Sequence, residues 1–135
     1  MAEVEVLLSV RNQLGEGPLW HVAEGALYWV DIEGESFFRY FPDEEKLETF
    51  QVGQPVGCLA FCLDGGLVLA LRDGIGAWDW VTQTVNIVNN PETDRKGARF
   101  NDGRVDRRGR FWAGTLGDDN QSKLYRLDTD GSIHT

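Results

Sequence analysis

One short pattern occurs three times along this chain. Glu24-Gly25-Ala26-Leu27-Tyr28-Trp29 aligns with Asp64-Gly65-Gly66-Leu67-Val68-Leu69 and with Arg108-Gly109-Arg110-Phe111-Trp112-Ala113. Each copy reads as a glycine turn opening into a strand. Gly25, Gly65 and Gly109 stand 40 and then 44 positions apart. A later strand recurs in the same order, as Phe38-Arg39-Tyr40, Ala77-Trp78-Asp79 and Leu124-Tyr125-Arg126. Four strands within a period of about 40–45 residues is the signature of a propeller blade.

Apolar residues come in short runs or alternate, turn residues punctuate them, and almost nothing reads as helix. Strands are expected at 4–10, 17–21, 26–31, 36–41, 47–52, 58–62, 67–71, 75–80, 85–88, 103–106, 110–115, 123–127 and 132–134. The one long loop is 89–98, polar and containing Pro91. The expectation is therefore an all-β chain, a single partial propeller domain over 1–135. It has an N-terminal strand at 4–10 and blades at about 14–52, 57–88 and 101–135. The competing architecture is an irregular β-sandwich with coincidental turns. Propellers typically have about four to eight blades, so three leave broad apolar faces open. A homodimer of C2 symmetry, or a complementary half, is the expected way to complete the ring.

Charge narrows the partners. The chain has 22 acidic and 13 basic side chains, a formal charge of −9. That balance offers no basic surface for phosphates or anionic membranes, so no nucleic-acid and no membrane partner is expected. The N-terminus Met1-Ala2-Glu3-Val4-Glu5-Val6-Leu7-Leu8 lacks a basic n-region. A secretory signal is not expected, and the cytoplasm is the default location. Cys58 and Cys62 read as small buried hydrophobes. An extended chain holds them too far apart for a disulfide, and no zinc-ligand spacing surrounds them.

Arg99-Phe100-Asn101-Asp102-Gly103 is the densest polar cluster, followed by Gly109-Arg110-Phe111-Trp112-Ala113-Gly114-Thr115. A guanidinium, a carboxamide and a carboxylate at a strand's start suit a polar small molecule. The same letters also spell a tight Asn-Asp-Gly turn bonded to its own backbone. Locally both readings stand, and Arg99 could pair with Asp102 or Asp94. Glu16, between glycines, could be a solvated turn residue. Asp118 and Asp119 could be a solvated pair. Asp31 is either a second channel-side carboxylate or a strand-end acceptor. His21 and His134 receive no role. Trp20, Trp29, Trp78, Trp80 and Trp112 are expected to pack blades.

Leu14-Gly15-Glu16-Gly17-Pro18-Leu19-Trp20 resembles the opening motif of the SMP-30/gluconolactonase/LRE (regucalcin-like) family. So do Leu27-Tyr28-Trp29-Val30-Asp31-Ile32, the run from Arg99 to Asp106, and Gly109 to Leu116 in the same register. The resemblance covers about 14–130. It implies a six-bladed β-propeller with a divalent metal in its central channel, calcium first, with zinc, manganese or magnesium as alternatives. It implies metal-dependent hydrolysis of a sugar lactone, a gluconolactonase-like carboxylic-ester hydrolase. Glu16 is then a metal ligand, and Arg99 and Asn101 contact substrate. Asp119 stands in register with a substrate-binding glutamate of the family, one carbon shorter. The family's remaining metal ligands and its general base fall beyond Thr135, so the catalytic base is unknown here. The alternatives are a calcium-binding module or a non-catalytic propeller fragment.

Overall fold

The computed structural model describes residues 1–135 as twelve strands in three sheets. The first sheet holds β1 (Gly15–His21), β2 (Ala26–Asp31), β3 (Ser36–Phe41) and β4 (Lys46–Gln51). The second holds β5 (Val56–Phe61), β6 (Leu67–Leu71), β7 (Gly74–Asp79) and β8 (Thr84–Asn89). The third holds β9 (Arg99–Val105), β10 (Phe111–Leu116), β11 (Leu124–Leu127) and β12 (Ile133–His134). Each sheet is an antiparallel meander in chain order. The first strands of the sheets lie side by side, β5 between β1 and β9. The three blades thus form an arc with β1, β5 and β9 along its inner edge.

The repeated glycines have a common conformational cause. Gly25, Gly65 and Gly109 have φ of 64°, 87° and 75°, and each closes the turn between the first two strands of its blade. Around Gly25 and Gly65 an added Cβ would meet nothing within 4 Å. The demand there is for left-handed backbone rather than for space.

Burial patterns follow blade position. In β2, Ala26, Tyr28 and Val30 are buried toward the second blade, while Leu27 and Trp29 are half-buried on the other side. In β10, Phe111, Ala113 and Thr115 are buried, and Trp112 and Gly114 are half-buried. The middle blade is covered on both faces, so Val56 to Ala60 of β5 are buried without interruption. Covering both sides of a strand removes the need for alternation. Between the first two blades, the Phe37 and Phe50 rings stack at 4.8 Å, and Trp78 meets Phe37 edge-on at 5.1 Å. Between the second and third, Cys58, Ala60 and Ile75 pack with Phe100, Phe111 and Tyr125. Full burial of one such side chain stabilises by roughly 1.5–3 kcal/mol, more than a typical surface ion pair.

Residues 4–10 do not form the expected strand. They are mostly exposed, and Val6, Leu7, Leu8 and Val10 lie along the outer face of the first blade beside Leu27 and Trp29. Alternation creates a strand only where a sheet edge supplies hydrogen-bond partners, and this segment pairs with none of the three sheets. Trp20 also departs from its expected role. It is 51% exposed, on the side of β1 opposite Leu19, which packs on the core. Trp29 stacks flat on Phe38 at 5.0 Å. Trp78 and Trp80 join the cluster between the first two blades. Both cysteines are free, Cys58 buried and Cys62 half-buried. No helix is long and apolar enough to cross a membrane.

Candidate functional site

All three inner strands carry one residue more than the strands they pair with, within about one rung of the same place. In the first blade the register shifts between Glu16 and Leu19. In the second it shifts between Val56 and Cys58, and in the third opposite Ala113 to Thr115. Aligning the pairs on either side makes Glu16, Gly57 and Asn101 equivalent positions. A β-bulge re-aims the side chains beside it. The local sequences permit it: Gly17 has φ of 62°, and Pro18 removes a ladder donor at the bend. Gly57 sits so close to β9 that a Cβ would lie 2.4 Å from the carbonyl oxygen of Phe100.

Glu16 is exposed and lines a cavity of about 430 Å³ with residues 6–8, Asn12, Pro18 and Trp29. None of the nine ion pairs uses it. In the third blade, Arg99 Nη1 donates to Asn101 Oδ1 and to the Phe100 carbonyl, both at 3.0 Å. Arg99 thus pairs with neither Asp102 nor Asp94. Asp102 accepts from the Gly103 N–H at 2.8 Å, a turn-stabilising role. The structure brings Arg99 and Asn101 into contact and leaves Glu16 two inner strands away.

Asp119 stands at the same end of the third blade, because Leu116 pairs with Arg99 in the ladder. Both of its carboxylate oxygens are held by Arg95, at 2.6 and 2.9 Å. The Arg95 bonds hold its carboxyl low, at about 2. Asp118 makes no ion pair and is exposed. Asp31 resolves to a strand-end acceptor. It is buried and accepts the N–H groups of Gln13, Leu14 and Gly34 at 2.9, 2.8 and 3.1 Å. Burial pushes its carboxyl up, but those backbone bonds outweigh it and hold it below the ordinary range.

Two groups were not legible in the sequence. One is the Glu92–Arg95 pair inside loop 90–98, whose only signal is an i, i+3 acid and base just ahead of Arg99. The other is the cationic setting of Trp112, expected only to pack blades: it is held between Arg110 and Arg126 at 5.5 and 5.6 Å, with its Nε1 donating to Asp106 at 2.9 Å.

No group of three or more acidic, histidine or cysteine side chains comes together to hold a metal. Calcium takes about six to eight oxygen ligands. Glu16 has the right oxygen chemistry for one such ligand, but the residues present do not complete a site.

Four-stranded meanders fanned around aligned inner strands define a β-propeller-type protein with its polar rim on the inner edge. The description "SMP-30/Gluconolactonase/LRE-like region" matches residues 14–135, and the chain belongs to that family. It is 35% identical to regucalcin of Xenopus laevis, over 97% of this chain and 46% of that protein. It is 41% identical to 6-deoxy-6-sulfogluconolactonase of Pseudomonas putida, over 87% of this chain and 41% of that protein. A solved structure described as a calcium-binding protein, regucalcin, from Agrobacterium tumefaciens superposes with a TM-score of 0.86 at 26% identity. It covers 96% of this chain and 44% of that one. The chain thus spans less than half the length of these relatives.

Proposed function

We propose that this chain supplies three blades and one wall of the channel to a six-bladed propeller that hydrolyses sugar lactones with a divalent metal. The observation that carries this reading is the row of matching bulges. Glu16 and Asn101 hold equivalent places on the inner edge, Gly57 leaves the place between them without a side chain, and Arg99 is bonded to Asn101.

In lactone hydrolysis a water oxygen adds to the carbonyl carbon. The ring C–O bond then breaks, the ring oxygen gains a proton, and a hydroxy acid leaves. Arg99 spends Nη1 within the chain, which leaves Nε and Nη2 for substrate hydroxyls or the product carboxylate. The Asn101 Nδ2 donates while its Oδ1 is held, which suits a polyol. Asp119 accepts from a hydroxyl. Glu16 supplies one ligand to a divalent cation, calcium first, with zinc, manganese or magnesium as alternatives; such an ion, when bound, polarises a lactone carbonyl. The remaining ligands and the water-activating base are assigned to the blades that complete the ring, from a second copy of this chain or a complementary half.

The description of the Agrobacterium structure as calcium-binding favours a second reading, cation binding without hydrolysis. Initial rates of gluconolactone hydrolysis with each of the four cations, for wild type and Glu16→Gln, separate the two. The lactonase reading expects cation-dependent turnover, with more cation required by Glu16→Gln. Turnover that Glu16→Gln leaves unchanged at every cation concentration contradicts the ligand role. Light scattering at the assay concentration tells whether two copies associate.

A further inference from the structure

Loop 90–98 is more than a linker between β8 and β9. The Glu92 side chain is 8% exposed and that of Arg95 11%. Glu92 Oε1 accepts from the hydroxyls of Thr115 and Tyr125, each at 3.0 Å, and Oε2 accepts from Arg95 Nη1 at 2.5 Å. Arg95 Nε and Nη2 then fork onto Asp119. Gly117 leaves room for that fork, since a Cβ there would lie 2.9 Å from Arg95 Nη2. The loop therefore grips β10, β11 and the turn that carries Asp119. From Ala98 the chain runs directly into Arg99 and Asn101.

We infer that Arg95 is a positioning residue, fixing Asp119 and the turn after β10 at a set place relative to Arg99 and Asn101, so that one polyol meets both groups at once. The inference rests on the lactonase reading for the nature of the ligand. A guanidinium fork orients a carboxylate in a way that a single ammonium does not. Asp119 Oδ1 also accepts the Gln121 N–H at 3.2 Å, while Oδ2, bonded only by Arg95, keeps a lone pair for a substrate hydroxyl. Asp119 then serves as an aimed acceptor. Arg95 touches no substrate atom in this arrangement and acts through Asp119.

The test is a titration of the full chain with D-gluconate, the acid that the proposed hydrolysis would release, followed through backbone amide shifts. Wild type should respond at Arg99, Asn101, Gly117 and Asp119 together. Arg95→Gln should bind about tenfold more weakly, the loss expected for one charge-assisted contact. It should keep the Arg99 and Asn101 shifts and lose those at Gly117 and Asp119. Arg95→Lys should fall between, retaining charge without the fork. Because Arg95→Gln leaves Glu92 buried without its partner, Arg95→Gln with Glu92→Gln serves as the folded control and should show the same loss. A purely structural role would lower the melting temperature and leave the pattern of shifts intact. Wild-type affinity and a wild-type Asp119 response in either folded variant would overturn the inference. Silence at all four amides in wild type would instead overturn the lactonase reading, and this inference with it.

Discussion

Gly57 and Asn101 occupy equivalent positions on adjacent inner strands, and a Cβ on Gly57 would lie 2.5 Å from the Asn101 carbonyl oxygen. The neighbouring atom is backbone, so it cannot swing aside. Gly57→Ala is expected to push β9 away from β5 and to cost about 1–3 kcal/mol, the range for overpacking. Chemical denaturation measures the loss. The same displacement should weaken ligand contact at Asn101 without touching its side chain.

The turn glycines make a different prediction. Gly25 and Gly109 need positive φ rather than empty space, so a β-branched residue fails there and asparagine is tolerated best. Gly25→Ala should destabilise by about 1 kcal/mol and Gly25→Asn by less. Thermal melts of the two variants check the order.

Asp31 connects the fold to the site. It accepts the N–H groups of Gln13 and Leu14, just ahead of the strand that carries Glu16. Asp31→Ala removes the buried acceptor of these part-buried donors, at about 1–3 kcal/mol for such a loss. Hydrogen exchange should quicken at Gln13 and Leu14 first, before the blade core responds.

Acid should release the Arg95 fork. The folded Asp119 carboxyl sits at about 2, below the value of about 3.9 for an unfolded aspartate. A depressed folded value means that the contribution is complete above the unfolded value and is lost as pH falls from there through about 2. Asp106, held well below the carboxylate range by Arg110 and Trp112, is lost in the same direction. Urea midpoints measured from neutral pH down to pH 2 should fall steadily below about pH 4. The fall should be shallower in Arg95→Gln.

Local pattern located most strands because each is short, apolar and bounded by turn residues. β2, β3 and β6 lie where alternation and glycine turns put them. β9 begins at Arg99, four residues ahead of the expected start. The bulge at Asn101 breaks alternation just where the proposed site side chains sit, so the feature that places them also hides their strand. Residues 4–10 alternate as well as any real strand does, but a partner edge is a tertiary property. The Glu92–Arg95–Asp119 cluster was invisible for the same reason, since 24 residues separate Arg95 from Asp119. The role of Asp31 depends on Gln13 and Leu14 closing on it, a contact 17–18 residues away in the chain.

The rim formed by Arg99 and Asn101 carries the proposed chemistry most directly. The decisive measurement is acid release from gluconolactone over the uncatalysed rate, for wild type, Arg99→Gln and Asn101→Ala, each confirmed folded and assayed with a divalent cation. The account predicts catalysed release by wild type that falls sharply in both variants, while their melting temperatures stay close to wild type. Equal catalysed rates in all three folded proteins would contradict it.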